Sequence, residues 1–366
     1  MEQKSSLDLL GKKLGVEWPA IAMAKSKALE KQEAIRTALT QPTKLFNPSD
    51  LSITVFGSIA RLEFTEKSDV DWTLLIDGQA QPEHLRIAFS IQQKLHEKGL
   101  KPPTAGGAFG SMAFSHDIIH LIGGQRDTNH NTTQRILLLL ESAPIYFKKE
   151  NGKTEGYVES DAYERVIRGV IQKYLLADSG FAAPRQGYSR VPRFLLNDIV
   201  RFWRTMCVDF AWKGWEQDGQ KWALRNIKLR MSRRLIFISG LLMIASCYRN
   251  NELKNLSASE EIKTYLQHLE KYVKMTPLEV VADLLPRYVD ATIAGEFFDH
   301  YDKFLQLLND KTKREELEHL HEKNAYGNII FEEARELSHE FHNTLTKIFF
   351  IEKSDLKEFT IQFGVF

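Results

Sequence analysis

Asp69 and Asp71 flank a single apolar residue at the head of the run Val70 to Ile76, and an earlier apolar run, Leu51 to Phe56, ends in Gly57-Ser58. Both runs read as strands. Strand side chains alternate, so Asp69 and Asp71 face one way, about 7 Å apart along the strand, while Val70 and Trp72 face a core. Two carboxylates on one face can hold a pair of divalent cations, which sit about 3.5–4 Å apart in such sites. Magnesium takes oxygen ligands and keeps substrate phosphates among them. Gly57 lets backbone approach a phosphate closely, and the amide and hydroxyl of Ser58 can donate to it. Two like charges side by side raise each other's cost of ionisation, which an exposed strand end used for solubility does not explain. The chemistry this pattern suits is metal-assisted attack on a phosphate group.

Other residues could join them. Asp117, in Phe114-Ser115-His116-Asp117-Ile118-Ile119-His120, falls in a third predicted strand, Ala113 to Ile122, and Asp127, just beyond Gly123-Gly124, is the alternative acid. His116 and His120 lack zinc-ligand spacing and read as structural. In the basic stretch Arg225 to Arg234, residues Arg225, Lys228 and Ser232 share a helix face. Asn197, Arg201 and Arg204 form a polar stripe on an otherwise apolar helix, where charge is costly unless paired or facing a polar cleft. Asp198 or Asp209 can neutralise them. Gly123-Gly124 is followed by no Lys-Ser/Thr pair, which argues against a P-loop mechanism.

The elements that position these residues divide the chain. Residues 1–45 read as an N-terminal helical segment. Residues 46–150 read as a small mixed α/β unit holding the strands and two helices, Glu83 to Lys98 and Thr132 to Leu140. Residues 151–366 read as a helical domain, with segments at 157–178, 192–213, 221–249, 258–273, 277–308, 312–323 and 328–350. An apolar, extended tail, Phe359 to Phe366, closes it and is expected to pack on the body. Asn151-Gly152-Lys153 is the expected boundary. The fold class expected is α+β, a small mixed sheet followed by a larger all-helical domain. A chain of 366 residues, 43% apolar, suits two cores. Its net charge of +1 confines any basic site to a local patch. Cys207 and Cys247 read as buried thiols of a reducing compartment. Met1 to Leu10 has no apolar signal region, and Leu235 to Tyr248 falls short of the roughly 20 residues of a membrane span. The expectation is a cytoplasmic protein without a membrane partner.

Gly-Ser, a gap of about ten residues and Asp-x-Asp with an apolar x resembles the polymerase-β-like nucleotidyltransferase superfamily. The local form, with Arg61 and Glu63 after Gly57-Ser58 and Ser68 before Asp69, looks most like its protein-modifying uridylyl- and adenylyltransferases; defence-associated members are also similar. The resemblance covers about residues 50 to 125. It implies a catalytic core binding two Mg²⁺ (or Mn²⁺) ions through Asp69, Asp71 and a third carboxylate, Asp117. It implies nucleotide contacts from Gly57, Ser58 and Arg61, and a triphosphate clamp from Lys228 and Ser232, with Asn197, Arg201 and Arg204 lining the cleft. The implied reaction moves NMP from an NTP such as ATP, or from a dNTP, to an acceptor hydroxyl with release of pyrophosphate. The acceptor stays open: a protein side chain, a nucleotide or oligonucleotide (including an antiviral-defence oligomer signal), or a small molecule of the aminoglycoside type. A catalytically degenerate nucleotide-binding scaffold is the non-enzymatic alternative. Thr360 makes the tail a candidate self-acceptor. Arg335 and His342, sharing one helix face, resemble the HEPN ribonuclease motif, but a charged amphipathic helix, Glu332 to His342, is the preferred reading of them.

Overall fold

The computed structural model describes residues 5–39, 50–103, 109–145, 147–148, 157–158, 161–178, 190–216, 218–253 and 258–364. They form two compact units: a sheet unit, Ala24–Ala182 with Leu266–Thr276, and a helical unit, Met1–Met23 with Ala183–Tyr265 and Pro277–Phe366. The expected boundary at Asn151-Gly152-Lys153 lies outside the described residues. The helix that follows it, expected in the helical domain, belongs to the sheet unit.

The chain opens with α1 (Ser6–Leu14) and α2 (Pro19–Ala38). The sheet unit then lays down β1 (Leu51–Phe56), the single turn α3 (Gly57–Ala60), β2 (Asp71–Ile76), α4 (Pro82–Glu97) and β3 (Ser111–Phe114). After them come α5 (Asn129–Leu140), β4 (Ser142–Pro144), a ribbon of β5 (Phe147–Lys148) with β6 (Tyr157–Val158), and α6 (Asp161–Ala177). The sheet order is β3-β2-β1-β4. β1 is antiparallel to both neighbours, Leu51 opposite Ile76 and Phe56 opposite Asp71 on one side and Phe56 opposite Ser142 on the other. β2 and β3 are parallel, Thr73 beside Ser111.

Alternation explains the core. Ile53, Val55, Trp72, Leu74 and Ile76 pack against Ile87, Ile91 and Leu95 of α4 and Ile35 and Leu39 at the end of α2. The α4 residues recur every four positions and so form one stripe. Each such side chain, fully buried, contributes roughly 1.5–3 kcal/mol. On the opposite face, α6 lies against β1 and β2.

The third strand is shorter than predicted. It stops at Phe114, and His116–His120 forms a π-helical turn. Tertiary packing overrides the β-branched run here: Ile118 is buried, and Ile119 Cδ1 sits where a Cβ on Gly169 of α6 would lie only 2.9 Å away.

The helical unit holds α7 (Arg193–Glu216), α8 (Trp222–Lys228), a π-helical turn Leu229–Arg233, and α9 (Arg234–Ala245). Then follow α10 (Ala258–Val273), shared with the sheet unit, α11 (Pro277–Leu284), α12 (Ala291–Asn309), α13 (Lys311–His319), α14 (Glu322–Ala325), α15 (Ile329–Thr346) and α16 (Asp355–Phe359). Nearly all of α9 is buried, which makes it a core helix. Among the described residues no helix is long and apolar enough to cross a membrane.

Three expectations change here. The helix predicted over 277–308 breaks at Leu285–Arg287, where Pro286 removes a donor. The tail is not extended: α16 continues as a π-helical turn, Thr360–Gly364. Helical spacing puts Phe359 and Phe363 on one face, their rings 5.9 and 5.7 Å from that of Tyr248. The first residues also do not stand apart. Trp18 Nε1 donates to Asp299 (2.8 Å) and the Ile21 amide to Asp302 (2.9 Å), which ties them into the helical unit.

Candidate active site

The register of β1 on β2 builds the centre of the site. Phe56 stands opposite Asp71, so the next residue, Gly57, turns directly over that aspartate. Gly57 has φ +69°, and a Cβ placed on it would fall 2.8 Å from Asp71 Oδ2. Both facts demand glycine: the first by backbone conformation, the second by space. α3 then holds the chain close, with Arg61 N–H donating to Gly57 O (2.9 Å) and Glu63 N–H to Ser58 O (2.8 Å). Leu62, at the exit, takes the left-handed φ of 60°.

Asp69 is set by a different device. A turn closes on Ser68, whose amide donates to Thr65 O (2.9 Å) while its Oγ accepts from the Thr65 amide (3.2 Å). The Val70 amide then donates to Lys101 O (2.9 Å). Val70 and Trp72 are buried in the core. The alternate residues Asp69 and Asp71 are half-buried on the other face, as is Ser58. Among the described residues, neither Ser58 nor Asp69 has a side-chain partner. β2 begins at Asp71, so Asp69 lies on its extended lead-in rather than within the strand.

Arg61, expected to contact nucleotide, is buried and pairs with Glu63 Oε2 (3.0 Å) and with Glu141. Glu141 immediately precedes β4, so this trio fastens the end of the Gly57 turn to the neighbouring strand. A buried guanidinium between two carboxylates is a structural clasp, since its charge is already matched. Glu63 was visible beside Arg61 in sequence. Glu141 carried no local signal, because it joins the trio only through strand pairing.

Asp117 is placed elsewhere. It is exposed on the π-helical turn beyond β3. β3 runs parallel to β2, so Asp117 follows the end of the sheet remote from Asp71. Level with Asp71 on that side comes Phe109, whose ring lies 4.8 Å from Phe56. The structure thus seats Gly57 on Asp71, with Ser58 and Asp69 adjoining them in sequence, but does not bring Asp117 to them. Among the described residues no group of three or more His, Cys, Asp or Glu could hold a metal ion. Asp127 grips Arg135 with both oxygens (3.1 and 2.9 Å) and accepts from the Gly123 amide (3.1 Å). His116 and His120 are exposed, with ring centres 5.5 Å apart.

The remaining candidates belong to the helical unit. Asn197 and Arg204 are exposed on α7, and Arg201 reaches Asp198 at 4.0 Å. Solvent therefore carries the cost of the Asn197 and Arg204 polar groups. Lys228 is half-buried. Ser232 is buried, and its hydroxyl donates to Lys228 O (3.1 Å). Arg225 donates to the carbonyls of Lys213, in the last turn of α7 (3.2 Å), and of Gln220, in the turn that follows it (2.8 Å). Arg335 pairs with Glu332 (2.8 Å), and His342 lies 3.4 Å from Arg234.

No protein-family model matches the chain, and no curated protein matches it in sequence.

Proposed function

We propose that this chain is a magnesium- or manganese-dependent nucleotidyltransferase, moving NMP from an NTP or dNTP to an acceptor hydroxyl with release of pyrophosphate. The observation that carries the reading is the seat of Gly57 on Asp71, where a Cβ would meet Oδ2 at 2.8 Å. A strand end that keeps its backbone bare over a carboxylate suits a ligand that must touch both.

The residues fit the metal. Asp69 and Asp71 offer hard oxygen donors from one face, and magnesium commonly takes one or two protein carboxylates and completes its shell with water and substrate phosphates. Two aspartates without a third protein acid therefore suffice for one ion; Asp117 drops out of the set. When bound, the metal supplies charge neutralisation at the triphosphate and acidifies a coordinated hydroxyl. The chain's own part is positioning. Gly57 keeps the backbone close to the phosphates, and the Ser58 hydroxyl donates to a phosphate oxygen. The turn at Thr65–Ser68 and the Arg61 clasp keep Asp69 and Asp71 from drifting as charge builds at the phosphorus. The acceptor oxygen bonds to the α-phosphorus, the bond to the β-phosphate oxygen breaks, and the hydroxyl proton is released.

Asp69→Ala and Asp71→Asn are expected to abolish incorporation of labelled NTP or dNTP while the melting temperature holds. Incorporation by either variant at the wild-type rate sinks the assignment. Label on the chain, in a ladder, or only with added acceptor identifies what is modified.

A further inference from the structure

Among the described residues the helical unit carries two arginines that no carboxylate faces within ion-pair distance. Arg230, in the π-helical turn, and Arg234, at the head of α9, are both half-buried. Arg230 Nη1 donates to Ser338 Oγ at 3.4 Å. Arg234 Nη1 lies 3.4 Å from His342 Nδ1, and its guanidinium stands 5.8 Å from the ring centre of Trp203. Ser338 and His342 lie on α15, which also carries Arg335. Among the described residues neither Arg230 nor Arg234 makes an ion pair. Burial lowers the affinity of both for their protons, and Arg230 lowers Arg234 further. Burial, then Arg234, His339 and Arg230, hold His342 below its ordinary value.

Half-buried arginines are ordinarily matched by carboxylates. A hydroxyl at the limit of hydrogen bonding and one aromatic face compensate little for two like charges. An anion with several acceptor oxygens would match both guanidinium groups at once. We propose that Arg230, Arg234 and His342 form a binding site for the phosphate group of a nucleotide or oligonucleotide. Guanidinium forks match phosphate oxygens two at a time, and an imidazole beside them donates once an anion restores its proton. π-helical turns recur at functional sites, and this one sets Arg230 where α15 presents Ser338. The site shares no residue with the Asp69–Asp71 centre and stands whether or not that reading holds.

The test is calorimetric titration of the full chain with inorganic phosphate, a nucleoside monophosphate and a short single-stranded RNA, each in the presence of a chelator so that metal-bound nucleotide makes no contribution. At least one probe should bind, and the strongest identifies the source of the phosphate. Arg230→Met and Arg234→Met keep the apolar stem and remove the charge. Each should weaken that binding at least about tenfold, the scale of one charge-assisted contact, while the melting temperature holds or rises. Absence of binding by every probe, or unchanged binding in both variants, overturns the site. If either Met variant melts lower, Arg→Lys at that position decides: it keeps the charge and loses the fork. Weaker binding at wild-type melting supports the site, and unchanged binding rejects it.

Discussion

Arg61 and Arg234 make opposite uses of the same side chain. In the sheet unit, Arg61 is buried between Glu63 and Glu141, so its charge is spent inside the fold. In the helical unit, Arg234 stands against Trp203 and His342 and makes no ion pair among the described residues, with Arg230 adding like charge. A paired guanidinium is a fastening. An unpaired one in half-buried surroundings is a cost to stability that a function explains. Burial alone does not separate them; the count of facing carboxylates does.

That contrast can be broken by substitution. Arg61→Ala strands two buried acids and should destabilise the sheet unit by about 3–5 kcal/mol, read as a shift in urea midpoint; a change within error would mean that the trio is not a clasp. Gly57→Ala comes next. Its positive φ and the clash with Asp71 should cost ~1–3 kcal/mol and take nucleotide incorporation to background. Retained incorporation would show that the bare backbone is dispensable. Arg234→Met should leave stability within ~1 kcal/mol of wild type, on the favourable side; a loss like that of Arg61→Ala would erase the distinction.

The smallest effect is pH-dependent. His342 is held below its ordinary value by burial first, then by Arg234, His339 and Arg230. The folded state thus takes up this proton less readily than the unfolded one. Its contribution is full above about pH 6.5 and is lost as pH falls. His342→Gln should therefore flatten the acid side of a melting-temperature profile slightly, and phosphate should do the same to wild type. An unchanged slope in His342→Gln would show that His342 is not held below its ordinary value in the fold.

What was legible in sequence was whatever alternation or local turn chemistry determines. Val70 and Trp72, buried in alternation with Asp69 and Asp71, follow from strand period, and the burial of α9 from its long, largely apolar run. Gly57 was readable as a close-approach residue, but not what it approaches, since that depends on Phe56 pairing with Asp71. Asp117 was misplaced because Ile118 and Ile119 mimic a strand, whereas the seat on Gly169 requires a turn. Glu141 stayed invisible because eighty residues separate it from Arg61. The tail looked extended because short apolar runs carry no period of their own; Tyr248 supplies the reason for its helix.

The pairing of Trp18 with Asp299 spans 281 positions of chain. On a ribosome, α1 and the first turn of α2 must therefore wait, undocked, until α12 has emerged. The β1–β2 hairpin closes within a few dozen residues of being made. A chain built this way gains its sheet early and its helical unit late, because loop closure across such separations is slow. Apolar residues of α1 such as Leu7 and Leu10 stay uncovered through that interval, which makes α1 the natural client of a chaperone during synthesis.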